Sequence, residues 1–249
     1  MPFTYPAARR ADVVDDYHGT PIADPYRWTE DPHDPETRAF VEAQNAVTLP
    51  YLASLPEVDQ LRPRMAEVWD TPRTGAPVER NGVVVWTHND GLADQPVFMV
   101  SVDGAEPRVL LDPNTMSDDG AVAVPVWGLS PDGRHMVYSV AESGSDRQVG
   151  HVVETTTGAV LDDQIRHIRF TSFSWHGSGF FYSRFPEVPE GDVGLFTDPS
   201  IHYHRLGTDQ ADDTQVFANP DQPHLGYDAT TSPDGDLIVL TEYDGTSHK

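Results

Sequence analysis

One turn recurs along the chain, and its spacing limits the folds available. Ser130-Pro131-Asp132-Gly133 precedes the run His135–Val140, and Ser232-Pro233-Asp234-Gly235 precedes Asp236–Thr241. Ser174-Trp175-His176-Gly177 precedes Phe180–Ser183, and Arg80-Asn81-Gly82 precedes Val83–His88 as a weaker copy. The glycines at 82, 133, 177 and 235 are 51, 44 and 58 residues apart. In each copy a tight turn, in which Gly accepts a positive φ, joins two strands of alternating side-chain direction.

Further strands are expected between the copies: Val97–Val102, Arg108–Leu111, and His151–Glu154 turning through Thr157-Gly158 into Ala159–Leu161. Four strands per repeat of 44–58 residues is the form of a β-propeller blade. A generic all-β domain would also contain Asp-Gly turns. The aligned pairs Ser130/Ser174, Gly133/Gly177 and Tyr138/Tyr182 favour the propeller. The expected fold is therefore mainly β, with a propeller domain over residues 71–249 that holds three complete blades and part of a fourth. Propellers close with about four to eight blades, so a four-bladed ring is conceivable and a portion of a larger ring fits better. The sequence ends at Thr246-Ser247-His248-Lys249, in the turn expected after a strand.

Residues 1–70 read differently. Pro6, Pro21, Pro25 and Pro32 interrupt the first 33 residues, which are expected to be irregular and anchored by Tyr17, Tyr26 and Trp28. Asp34-Pro35-Glu36 is a helix start, with a capping carboxylate, a proline suited to the first turn and an acid that complements the helix dipole. Phe40, Val41, Gln44, Val47, Tyr51, Leu52 and Leu55 form a helical stripe, and Pro50 is expected to kink or end that helix. A second helix, over about 57–69, carries Leu61, Met65, Val68 and Trp69 on one side. An extended arm and two such helices want a partner surface.

Composition mainly excludes. Twelve Glu and 28 Asp against 15 Arg and one Lys give a formal charge of −24, which argues against nucleic acid and against an anionic membrane. Salt adaptation and a general bias of Arg over Lys would both produce this balance. With no cysteine there is no disulfide, thiolate metal site or cysteine nucleophile. The first 20 residues lack the apolar core of a secretory signal, and no stretch approaches the about 18 apolar residues of a membrane span, so a cytoplasmic protein is expected. G-x-S-x-G, H-E-x-x-H, G-x-G-x-x-G and the phosphate-loop pattern are all missing from the sequence. His202 and His204 with Asp198 are a weak metal candidate, and a hydrogen-bonded pair around Tyr203 is the plainer reading. Asp118-Asp119-Gly120 and Asp132-Gly133-Arg134 lack the pattern of a calcium loop and read as solvated turns.

Several segments together resemble the prolyl oligopeptidase family of serine peptidases. They are Tyr5-Pro6 with Arg9-Arg10, Asp15–Gly19, Ile22–Pro32, Phe40–Asn45, Leu111–Asn114, Ser117–Gly120, Ala141 with Ser143–Asp146, and Leu206–Asp209. The resemblance is order-preserving and covers essentially the whole chain. It implies a seven-bladed propeller inserted into an α/β-hydrolase peptidase that cleaves short peptides on the carboxyl side of proline. The propeller would cap and gate the active site. The Ser, Asp and His triad would lie in a C-terminal hydrolase portion absent from this chain. Residues 1–70 would be the arm and two helices that pack on that portion, and 71–249 the incomplete propeller. The implied partners are proline-containing peptides and the hydrolase portion, with no cofactor, metal, nucleic acid or membrane.

No catalytic residue is expected here, and the chain alone is expected to be inactive. The family's aromatic on the substrate side, within Gly179-Phe180-Phe181-Tyr182, maps to Phe181 with Phe180 as its neighbour; ordinary packing between sheets is the alternative. An arginine that contacts substrate in the family maps to Tyr243, which departs from the pattern and is not taken as a site. Residues 187–198 read as a polar, mobile loop bordering the cavity. The alternative function is a stand-alone propeller fragment acting as a non-catalytic interaction module.

Overall fold

The computed structural model describes residues 3–187 and 197–245 and the backbone of the strand Ser247–His248. The chain divides into two units, with the boundary between Trp69 and Asp70.

The first unit contains a hairpin, Val14–Tyr17 paired with Thr20–Ala23, in a stretch expected to be irregular. Its turn residues His18 and Gly19 have φ of 54° and 87°, which favours a tight two-residue turn. Asp15, Asp16 and Pro21 are poor strand formers, so the turn and local ion pairs hold a hairpin that residue pattern does not announce. Arg27 bridges Asp15 and Asp24 across its base. Helix α1, Pro35–Ala53, begins where Asp34 accepts the amides of Glu36 and Thr37. It continues through Pro50 to Ala53, contrary to a stop at that proline. Pro50 lies in the last turn, so it forfeits one backbone bond with little helix left to disrupt, while Ser54 N–H still bonds Pro50 O at 3.1 Å. Helix α2, Pro56–Trp69, has no buried residue, and Leu61, Met65, Val68 and Trp69 are all exposed. Among the described residues no helix is long and apolar enough to cross a membrane.

The second unit is four antiparallel sheets met in chain order. The first is built from Arg73–Thr74, Val78–Arg80, Val83–Asn89, Val97–Val102 and Arg108–Leu111. The second comprises Val122–Ala123, Trp127–Leu129, His135–Glu142, Gln148–Glu154 and Val160–Ile168. Ser174–His176, Gly179–Arg184, Ser200–Arg205 and Thr214–Ala218 make the third, and Gly226–Thr231, Ile238–Asp244 and Ser247–His248 the fourth. Gly82, Gly133, Gly177 and Gly235, all at positive φ, turn the early hairpin of their respective sheets.

Two of these turns share one hydrogen-bond pattern. Ser130 Oγ donates to Asp132 and accepts the amide of His135, and Ser232 Oγ does the same with Asp234 and Leu237. At Gly133 a side chain is excluded twice, by φ of 74° and by Arg80 O, which would lie 2.4 Å from a Cβ.

Alternation along the strands buries both faces of the inner sheets. Met136 and Tyr138 pack with Val85, Phe98 and Val100 of the first sheet, while Val137 between them points the other way, to Phe180 and Tyr182 of the third. Phe181 turns again, to Leu225, Tyr227 and Ala229 of the fourth. Burying a side chain of this size stabilises by about 1.5–3 kcal/mol, so each neighbouring pair is held by several such terms. Polar links add direction: Trp175 Nε1 donates to Gly128 O at 2.9 Å, and Arg108 to Thr156 O at 2.7 Å. In the fourth sheet Leu237, Ile238, Val239 and Leu240 are exposed, and the sheets do not close on one another among the described residues.

Candidate functional site

Strand Gly179–Arg184 carries the aromatics singled out in the sequence. Phe180 is wholly buried, with Trp175 and Phe173 at ring-centroid distances of 5.2 and 5.5 Å. Phe181, on the opposite face, is 4% exposed and lies 5.0 Å from the ring of Tyr203. Both rings therefore sit within the walls between sheets. Among the described residues, Phe170, two residues past strand Val160–Ile168, is an aromatic that does face solvent, 56% exposed and with φ of 44°. A bulky residue in the left-handed region is rare and marks a conformation imposed by its surroundings. Residue type and spacing gave no sign of it, because neither reports φ at a non-glycine position.

Between the second and third sheets lies a buried polar centre. His204 Nδ1 is 2.7 Å from Asp213 Oδ1 and Nε2 is 3.0 Å from Asp163 Oδ1, with all three side chains almost wholly buried. Both nitrogens face carboxylate acceptors, so both carry hydrogens and the ring is an imidazolium. Burial alone pulls the His204 pKa down, but the hydrogen bonds it donates to Asp213 and Asp163 outweigh it and leave it raised. Tyr182 donates to Asp213 Oδ2 at 2.8 Å, and Gly207 N–H donates to Asp163 at 2.6 Å. Neither ring nitrogen is available to take a proton from a substrate, so this centre is a clamp and not a general base. Asp198 is not among the partners of His204; Asp163 and Asp213 take that place.

The second histidine of the strand, His202, has a different setting. Its Nε2 is 3.0 Å from Ser200 Oγ, at a cavity of about 360 Å³ lined by Arg184, Phe185, Asp198, Asn219 and others. Its buried Nδ1 has no partner among the described residues. Burial, with Arg184 adding to it, holds the His202 pKa below its ordinary value, so the ring is neutral at pH 7. A serine and a neutral imidazole in contact are two parts of a nucleophile relay, but among the described residues no acid orients the imidazole. The arrangement suits binding. Residues 188–196 of the expected polar loop lie outside the described residues.

Tyr243 pairs across the fourth sheet with Gly226, and a Cβ at Gly226 would lie 2.0 Å from the Tyr243 ring. The ring occupies the space that the glycine leaves, a packing role for Tyr at this position. Among the described residues no group of three or more His, Asp or Glu side chains is placed so that it could hold a metal ion.

The geometry is a series of antiparallel sheets of five, five, four and three strands with interleaved cores. Over residues 5–249 the sequence matches the family described as "Prolyl oligopeptidase, N-terminal beta-propeller domain". The chain belongs to the prolyl oligopeptidase family.

Among curated relatives of the family, the prolyl endopeptidase of Elizabethkingia meningoseptica is 30% identical over 98% of this chain and 35% of its own length. Prolyl oligopeptidase A of Amanita bisporigera is 30% identical over 100% of the chain and 37% of its own length. The chain thus spans about a third of the length of these relatives. A solved structure of prolyl oligopeptidase B from Galerina marginata, bound to a 25mer macrocyclization substrate, superposes with a TM-score of 0.81 at 27% identity, over 96% of this chain and 37% of the other. A prolyl endopeptidase structure from work on inter-domain dynamics gives a TM-score of 0.67 at 37% identity, over 97% of this chain and 35% of the other.

Proposed function

We propose that this chain is the N-terminal part of a prolyl oligopeptidase-like serine endopeptidase that hydrolyses short peptides on the carboxyl side of proline. The match over residues 5–249 to the family's propeller domain carries this reading. In the proposal, residues 71–249 supply three blades and part of a fourth of seven, and the propeller gates a cytoplasmic active site. Residues 1–70 pack on an α/β-hydrolase portion that brings the triad. Serine attacks the prolyl carbonyl there, histidine acts as base and then acid, and aspartate orients it.

Two surfaces support the reading. Helix α2 buries none of its residues, and the fourth sheet exposes Leu237–Leu240; both are apolar faces of the kind that a further part of a protein covers. Peptide partners are supported by the relative from Galerina marginata that was solved with a 25mer. Phe181, with Phe180 as neighbour, stays in the proposal as a substrate-side ring, although its burial means that the lining beside it must part before a peptide reaches it. Phe170 is the ring already open to solvent, and we add it to the proposed peptide-facing residues.

The test is cleavage of a Gly-Pro chromogenic substrate. The purified 249-residue chain is expected to be inactive, and the chain joined to the frame downstream of its gene is expected to cleave. Cleavage by the 249-residue chain, or a downstream frame without a G-x-S-x-G elbow, would overturn the proposal.

A further inference from the structure

Asn81 and Gly82 form the two-residue turn between strands Val78–Arg80 and Val83–Asn89, where Arg80 pairs with Val83. Both take positive φ, 49° and 81°, the form of a type I′ hairpin that Asn-Gly adopts at low cost. Asn81 is exposed. A side-chain amide followed by glycine is also a reactive pair. With no Cβ on the following residue, its backbone nitrogen reaches the asparagine Cγ once the turn opens.

The other four asparagines of the chain lack this combination. Asn89 is buried, donates to Ala93 O at 2.8 Å and accepts the Gly91 amide. Asn114 donates to Gln95 O and accepts the Gln95 amide, both at 2.9 Å, and the β-branched Thr115 follows it. Asn45 lies inside helix α1, whose backbone fixes the Ala46 nitrogen after it. Asn219 precedes Pro220, whose nitrogen carries no hydrogen to lose.

This turn is seated on the second sheet. Asn81 Nδ2 donates to Asp132 O at 3.3 Å, and Arg80 O lies close against Gly133. The receiving turn is itself fixed: Gly133 O accepts Thr155 Oγ1 at 2.7 Å, and Arg134 O accepts the Thr155 amide at 2.9 Å. It cannot retreat from a changed neighbour. The Asp103 amide donates to Gly82 O at 2.8 Å, and a Cβ on Gly82 would lie 2.5 Å from Asp103 Oδ1. One carboxylate therefore already borders the Asn-Gly turn.

We propose that Asn81 is a self-modification site, an asparagine that deamidates through the Gly82 nitrogen and so loosens the seat of the first sheet's turn on the second. Gly82 N attacks Asn81 Cγ. The bond from Gly82 N to Cγ forms, the Cγ–Nδ2 bond breaks, and ammonia leaves with the hydrogen of the Gly82 amide. Water, the only co-reactant, then opens the cyclic imide at either carbonyl. Breaking the new bond at Cγ leaves an ordinary aspartyl residue. Breaking the original peptide bond leaves the chain running through Cγ, an isoaspartyl link one atom longer. Either product carries a carboxylate where the amide donor stood. The aspartyl form sets an acceptor against Asp132 O and a second negative charge beside Asp103, in a chain already at −24. The isoaspartyl form lengthens a turn whose register depends on two residues. The site lies within the second unit, so it stands or falls apart from the peptidase reading.

Peptide mass spectrometry of the full chain, incubated at mildly alkaline pH, tests it, with isoaspartyl methyltransferase labelling to separate the two products. Both products are expected at position 81, formed about tenfold or more faster than acid at Asn45, Asn89, Asn114 or Asn219. Gly82→Ala should slow the reaction by about tenfold, but its φ of 81° strains any side chain there. Asn81→Gln is therefore the second variant. Its longer side chain would have to close a larger ring, so acid at position 81 should be lost over the same period. Hydrogen exchange reads the consequence: in Asn81→Asp the Asp103 amide, bonded to Gly82 O, should exchange faster than in the native chain. Faster reaction at another asparagine, an aspartyl product without the isoaspartyl one, or an unchanged rate in Asn81→Gln would overturn the site. Equal exchange at Asp103 in the native chain and Asn81→Asp would overturn the loosening.

Discussion

His204 donates from Nδ1 to Asp213 at 2.7 Å while its other nitrogen meets Asp163, so one buried cation sits between two buried carboxylates. Removing one partner leaves charge inside without its counterpart. Asp213→Asn is expected to lower stability by about 3–5 kcal/mol, read as a shift in the urea midpoint with an unchanged m-value.

The same centre sets a pH dependence. A histidine whose pKa is raised on folding binds its proton more tightly in the folded state. Its contribution is complete below the unfolded value of about 6.5 and is lost as pH rises through the higher folded value. His151, His167 and His202 are each held low, first by burial, and act in the opposite sense: their contribution is lost as pH falls. The difference in stability between the native chain and His204→Gln therefore isolates the clamp, and it should shrink as pH rises above the ordinary histidine range. A difference that grows with pH would show that the ring is neutral.

The clamp also shows what a sequence can and cannot display. The turns at Gly82, Gly133, Gly177 and Gly235 were legible because only glycine takes their backbone conformation cheaply, and repetition made them a period. Strand alternation around Phe180 and Phe181 was legible too, but not which sheet each would face. The partners of His204 were not, since Asp163 lies 41 residues away and meets it only once two sheets pack. The hairpin at Val14–Ala23 escaped because its strands contain acids and a proline and bury little. Phe170 escaped because its exposure depends on a backbone angle.

Gly179 opens the strand that carries those aromatics, and a Cβ there would lie 1.9 Å from His204 O. That obstacle is backbone and cannot swing aside. Gly179→Ala should destabilise by about 1–3 kcal/mol or more, measured by thermal unfolding, whereas Gly207→Ala, with open space around it, should show only the strain of its positive φ.

Phe180→Ala would open a void between the second and third sheets and is expected to cost about 3–5 kcal/mol in chemical denaturation. Phe180→Leu, which keeps most of the volume, should recover most of the loss. A cost near zero for the alanine variant would mean that the ring does not fill this wall.

In the first unit, Asp34→Ala removes the acceptor for the amides of Glu36 and Thr37. The expected cost is about 1 kcal/mol, with Asp34→Asn close to neutral. Helical circular dichroism during urea titration separates the two.

The interleaved cores also carry a rule of timing. Val137 and Phe180 belong to one cluster although a whole repeat lies between them, so one face of the second sheet has nothing to meet until the third has been made. A nascent chain leaving the ribosome would therefore complete each sheet one repeat late, always carrying one unfinished face at its growing end.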